Sequence, residues 1–190
     1  MTELARLPAS FFLAVYLRVA QLGGAGLVSL GLAGVLAEPA SWLFGVNFIA
    51  GDQRLRQFTP ERCAYLTDPR LGQPDCATGA VYQAFGETVT YGIVVTAFGF
   101  LVWGAHTLWL HRTAPGPYDR FLRRAYLTAA AVVFLAGASL FLPLGISQTL
   151  SAPNLGAGRP LLTGLVAAAF LVGYAWRLWR ELQPREAASR

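Results

Sequence analysis

The sequence predicts an all-α integral membrane protein: a four-helix bundle of two tandem helical hairpins in parallel repeat, with a disulfide-bearing exoplasmic insertion. Three observations lead there. Hydrophobic residues make up 55% of the 190 and charged residues 13%, with a mean hydropathy of +0.46; soluble domains carry roughly 25% charged residues. Four apolar runs, at about 17–37, 88–110, 122–147 and 161–180, match the ~20 residues that cross about 30 Å of hydrocarbon. Finally, the chain repeats itself. At an offset of 105, Leu17, Arg18, Ala20, Leu22, Ala25, Val28, Leu30 and Ala33 recur as Leu122, Arg123, Ala125, Leu127, Ala130, Val133, Leu135 and Ala138. At an offset of 70, Phe100–Trp109 is similar to Phe170–Trp179. Self-similarity of this kind organises a chain. The 35-residue difference between the offsets gives the size of an insertion in the first hairpin.

Hairpin one is expected over about 10–111, with its insertion at about 38–87, hairpin two over about 120–182, and a tail at 183–190. The first run is too long for a cleaved signal peptide and lacks a convincing cleavage site. Arg18 aligns with Arg123, which stands beside Arg120 and Arg124 at a helix entrance. It is therefore expected to snorkel at the interface, with Phe11, Phe12 and Tyr16 before it at headgroup level. Gln21, Ala25, Ser29, Ala33 and Ala37 recur every four residues as a small-residue stripe, the pattern that lets membrane helices pack closely. Ala125, Ala129, Val133 and Gly137 are expected to continue that stripe on the third helix.

The insertion opens with an apolar stretch, Ser41–Gly51, whose Trp42, Phe44, Phe48 and Ile49 would lie on the outer membrane surface or cap the bundle. Cys63 and Cys76, the two cysteines of the chain, enclose turn signals at Asp68-Pro69 and Pro74-Asp75. Two cysteines in one exoplasmic loop point to a disulfide, worth about 3 kcal/mol in the chain-entropy picture. A redox dithiol would favour Cys-x-x-Cys spacing. Zinc would require histidines on the same side, and both are expected at the other face. Further along, Pro143 followed by Gly145 is expected to bend or end the third helix.

Arginine supplies all the basic charge, giving a net charge of +5. Ten of the 15 arginines fall in the amino-terminal stretch, the linker between helices two and three, and the tail. The other five (Arg54, Arg56, Arg62, Arg70 and Arg159) share the opposite side with six acidic residues between Glu38 and Glu87. The positive-inside rule then places both termini in the cytoplasm of a bacterial cell, with four spans across its cytoplasmic membrane. Both hairpins run in the same direction, which makes the repeats parallel rather than inverted. Arginines at the ends of apolar runs are explained by topology, so nucleic acid is not expected as a partner.

Chemistry within the spans is sparse. His106, with Trp103 and Trp109 three residues either side, is the candidate cofactor-binding face; the bland alternative is an interfacial aromatic belt. His111 lies about 140° further round the helix, so the two imidazoles do not ligate one haem from a single helix. No cofactor and no metal are expected. Carboxylates are absent from the spans, Glu87 standing at the outer start of helix two and Asp119 in a loop; ion-coupled transporters usually need such a group. A phosphate-cradling glycine loop, paired catalytic carboxylates and a serine–histidine–acid set are all missing, so the reading leans away from an enzyme. The expected function is that of a non-catalytic integral membrane protein, an accessory or structural subunit of a larger bacterial membrane complex. Its partners would be the lipid bilayer and other membrane subunits, with a homo-oligomer allowed. Two alternatives stand beside it. One is a small transporter or channel for an apolar or weakly polar solute, with a cavity lined by Gln21, Ser29, Thr90, Tyr91, Thr96 and His106. The other is a pigment-, quinone- or haem-binding membrane subunit.

An apolar helix ending in Trp103-x-x-His106, a basic linker with Arg112, then Leu122-Arg123-Arg124-x-Tyr126-Leu127 entering the next helix form an ordered motif. It resembles a family of uncharacterised four-helix membrane domains found in Chloroflexota and other bacteria. The resemblance implies the fold and no reaction. That family tends to repeat tryptophan and histidine after the fourth helix, whereas this chain has Trp176 and Trp179 with no histidine. Its insertion is also longer than the family's usual outer loop.

Overall fold

Four long apolar runs with almost no interior charge can satisfy their backbone groups in a bilayer only as helices, and a computed structural model of the chain has that form. It describes residues 9–51, 60–67, 75–113, 118–151 and 156–183. The regular elements are α1 (Ala9–Val35), α2 (Ala37–Phe44), α3 (Val46–Ala50), α4 (Pro60–Leu66), α5 (Cys76–Arg112), α6 (Asp119–Ser151) and α7 (Gly158–Leu182). Four helices are long and apolar enough to cross a membrane. Arg6, Arg54, Arg56, Arg70, Arg185, Arg190 and the turn signals at Asp68-Pro69 and Pro74 lie outside the described residues.

Each long helix extends beyond its apolar run. At 1.5 Å per residue α5 is about 55 Å long, well over the roughly 30 Å of a bilayer's hydrocarbon. Its start is set by Asp75, whose carboxylate accepts from the Thr78 backbone N–H at 2.8 Å, an N-cap. Asp119 is the first residue of α6 rather than a loop residue, where its charge also suits the helix dipole. Pro143 does not end the third long helix: α6 runs through it to Ser151. Membrane helices tolerate an interior proline, which here withholds an N–H from the Ser139 carbonyl one turn before it.

α1 pairs with α5 and α6 with α7, and α1 also lies against both α6 and α7. Among the described residues the backbone of α5 comes close to no long helix but α1, while its Trp103 ring borders the core that α6 and α7 form. The bundle is thus open, with α1 in the middle and α5 as an outlying helix. One end carries Arg18, Arg112, Arg120, Arg123, Arg124, Arg177 and Arg180 and is called here the arginine end; the other is the disulfide end.

Two different faces of α1 make this possible. Gln21, Ala25, Ser29, Ala33 and Ala37 are all buried, and Ala25 joins a core with Tyr126, Leu127, Ala130, Phe134, Ala138, Ala167 and Tyr174. About 150° round the helix, Gly24, Gly31 and Gly34 meet α5 at Trp103, Thr96 and Gly92, while Gly99 of α5 meets Val28. On α6 the expected stripe is misplaced by one residue: Ala125, Ala129 and Val133 are exposed. Buried instead are Tyr126, Ala130, Phe134 and Ala138, which stand 105 positions after Gln21, Ala25, Ser29 and Ala33.

At the disulfide end the insertion is built in two parts. Gly45 and Gly51 adopt positive φ, 82° and 77°, and so end α2 and α3 within a few residues. The short α3 thereby presents Phe48 and Ile49 to a cluster with Ala37, Ala40 and Ala157, bordered by Phe85 of α5 and Leu161 of α7. The apolar stretch divides here, because Trp42, Leu43 and Phe44 remain exposed. Separately, a Cys63–Cys76 disulfide, with Cα atoms 5.1 Å apart, ties α4 to the first turn of α5. Leu66 lies against Gly79 there, and a side chain on Gly79 would meet the Leu66 carbonyl.

Candidate functional site

Charged side chains in the long helices concentrate at the arginine end. Arg18 stands in the third turn of α1 and Gln21 one turn later. Instead of snorkelling outward, the Arg18 side chain is 16% exposed and pairs with Asp119 at 3.2 Å. Its guanidinium also sits 5.6 Å from the Tyr126 ring centroid, a cation–π distance. The inward course follows from Asp119 opening α6 beside α1, which sets a carboxylate within reach of the guanidinium. The Arg18 Nε is buried without a hydrogen-bond partner.

Gln21, 8% exposed, donates from Nε2 to the Thr107 hydroxyl of α5 at 2.8 Å. That hydroxyl in turn donates to the Trp103 carbonyl at 2.7 Å. The chain of donors is therefore fixed, and the Gln21 Oε1 is left buried with no partner. In the second hairpin the equivalent residue is Tyr126, whose hydroxyl lies 2.9 Å from that of Tyr174, while the Tyr174 ring stacks on Phe134. Arg123, the counterpart of Arg18, pairs with Glu181 at the end of α7. Arg124 donates to the Glu181 carbonyl at 3.1 Å, covering one of the carbonyls that a helix end leaves open.

Two cavities flank Arg18 and Gln21, which line both. The first, about 380 Å³, lies among the start of α1, the end of α5 and the start of α6. Its apolar wall includes Phe11, Leu17, Leu110 and Leu122, and its polar wall includes Arg18, Gln21, Thr107, His111 and Asp119. The second, about 300 Å³, lies among α1, α6 and α7 and is bordered by Arg18, Arg123, Arg177, Arg180 and Glu181. A buried polar atom without a partner is uncommon in proteins, and here two such atoms belong to residues lining both spaces.

The Trp103, His106 and Trp109 set is not brought to one point. The Trp103 backbone faces Gly24 and its ring borders the core. The His106 Nδ1 is 2.6 Å from the Val102 carbonyl; a carbonyl only accepts, so this nitrogen carries the proton. The imidazole meets the Tyr16 ring edge-on at 5.7 Å. Trp109 is half exposed. Among the described residues no three His, Cys, Asp or Glu side chains are close enough to hold a metal ion. Of the residues expected around a solute cavity, Gln21 and Ser29 are buried, whereas Thr90 and Tyr91 face outward, so the set does not enclose a single space.

Sequence reasoning missed the Arg18–Asp119 pair, the Tyr126–Tyr174 bond and the glycine contacts between α1 and α5. The offset of 105 held a signal for the second of these, since it maps buried Gln21 onto Tyr126 and so marks a polar group at an interior position. No protein-family model, curated protein or solved structure matches this chain. The resemblance to the four-helix membrane domains thus rests on its motif alone.

Proposed function

We propose that the protein is a non-catalytic integral membrane protein, an accessory subunit that docks through α5 onto another membrane protein. The observation that carries this is the face α5 turns away from α1. Thr90, Ala97 and Gly104, spaced seven residues apart, are exposed there, and a Cβ on Gly104 would meet nothing within 4 Å. On its other face α5 uses Gly92 and Gly99, also seven apart, to approach α1 backbone to backbone. A seven-residue small-side-chain spacing suits left-handed helix packing, and α5 thus has that device on both faces with α1 covering one. Two tandem parallel hairpins, a place in a bacterial cytoplasmic membrane and cytoplasmic termini complete the proposal, supported by the internal repeat and by the seven arginines at one end. The test is blue-native electrophoresis and native mass spectrometry of protein extracted gently from its own membrane. Co-migration with a second chain, lost in Ala97→Leu/Gly104→Leu, is expected; a strict monomer in both preparations would sink the idea.

A second reading, binding of an apolar or weakly polar small molecule, has support in the half-apolar 380 Å³ cavity and the unpartnered Gln21 Oε1 on its wall. Organic extraction of the gently purified protein, with an absorption spectrum, tests it. A stoichiometric co-purified compound lost in Gln21→Leu is the expected result, and an empty extract removes the reading.

A further inference from the structure

We propose that the crevice among α1, α6 and α7 at the arginine end binds the phosphate of an anionic phospholipid headgroup. Three helices bring four guanidiniums around it, those of Arg18, Arg123, Arg177 and Arg180, with Glu181 the one acid on its border. Two of the four are committed, Arg18 to Asp119 and Arg123 to Glu181. For Arg177 and Arg180, one turn apart on α7, no ion pair or hydrogen bond occurs among the described residues. Like charges gathered this closely repel unless an anion joins them. Arg18 also lines the crevice, and its Nε–H has no hydrogen-bond partner. A phosphate diester is acceptor-only, and guanidiniums are suited to gripping it through paired N–H donors.

The position selects a lipid over a dissolved ion. Trp176 and Trp179 pack ring to ring at 5.0 Å on α7 beside these arginines and are exposed, as tryptophans at a membrane–water boundary are. The crevice floor includes Leu127 and Tyr126, apolar surface next to the charged rim. Basic pockets between membrane helices are a recognised way of holding anionic headgroups. A zwitterionic headgroup would bring its own cation among four arginines, so phosphatidylglycerol or cardiolipin fits and phosphatidylcholine does not.

The experiment uses the full chain in a neutral detergent. Native mass spectrometry counts retained lipid during titration with phosphatidylglycerol, cardiolipin or phosphatidylcholine, and thermal unfolding is followed in parallel with inorganic phosphate. Expected are retention of, and a raised unfolding temperature with, the two anionic lipids only. Arg177→Gln/Arg180→Gln is expected to weaken retention about tenfold or more, given about a kilocalorie for each interfacial arginine. The single variants Arg177→Gln and Arg180→Gln, with one side chain changed each, should show intermediate losses and cover the case of a double variant that does not fold. Equal retention of phosphatidylcholine, wild-type retention in a folded double variant, or a full thermal shift with inorganic phosphate alone would each overturn the proposal.

Discussion

Gly31 offers the sharpest perturbation of the fold. A Cβ added there would collide with the backbone N and hydroxyl oxygen of Thr96 and come within 2.8 Å of the Gly92 carbonyl. Two of these three atoms are backbone, so rotamer changes do not relieve the clash and α5 must move away from α1. Overpacking of this kind typically costs about 1–3 kcal/mol. Alanine also raises helix propensity by up to about 1 kcal/mol over glycine, which would hide part of the loss. Gly23→Ala and Gly26→Ala provide the correction, because a Cβ at either position meets nothing within 4 Å and receives the propensity gain alone. Gly31→Ala should therefore unfold below the Gly23→Ala control by about 1–3 kcal/mol, roughly 3–10 °C for a chain of this size. Intrinsic tryptophan fluorescence during heating in detergent reads it, Trp103 lying at the same seam. If Gly31→Ala and Gly23→Ala melt together, the close approach of α1 to α5 is wrong.

Two further outcomes follow from the polar pairs and the insertion. Tyr126→Phe or Tyr174→Phe alone should cost about 1–3 kcal/mol by leaving a buried hydroxyl unpaired, while the double variant costs less than the sum of the two; additive losses in thermal melts would refute the bond. Cys63→Ala/Cys76→Ala should increase trypsin cleavage between residues 51 and 75 while the melting of the long helices changes little, since among the described residues α4 packs only on α5; a collapse of the whole melt would show that the disulfide carries the fold.

The long helices and the cysteine pair were legible because each depends on a local property: an unbroken apolar run, or two thiols in one loop. What escaped depends on which side of a helix faces which neighbour. Ala125, Ala129 and Val133 make as good a small-residue stripe as Ala130 and Ala138, and nothing local separates a face toward lipid from a face toward Tyr174. In a membrane both surroundings are apolar, so hydrophobicity loses its power to mark the interior. The Arg18 side chain was unreadable for a related reason. Its direction depends on Asp119 arriving next to it, a contact across 101 positions of sequence. The glycines of α1 were visible as glycines, but their use as a seam required knowing that Gly92 and Gly99 lie opposite.

The two hairpins share a starting pattern and are fastened by different chemistry, and the open architecture accounts for the difference. α1 is gripped from two sides, by α5 and by the α6–α7 pair, so large side chains on both faces would force its neighbours apart. It carries glycines toward α5 and Ala25 toward the core that α6 and α7 form, while Gln21 reaches across to Thr107 of α5. α6 has α7 and α1 on one side, and among the described residues Ala125, Ala129 and Val133 on the other side are exposed. Its inward positions are free to grow, and Ser29 is answered by Phe134, Gln21 by Tyr126. The aromatic stack of Phe134, Phe170 and Tyr174 then fills volume that the glycine seam removes by bringing backbones together. The filling of these matching positions therefore tracks how many neighbours each helix has, and among the described residues α5 has α1 as the one long helix close to its backbone, with α2, α3 and α4 beside it at the disulfide end.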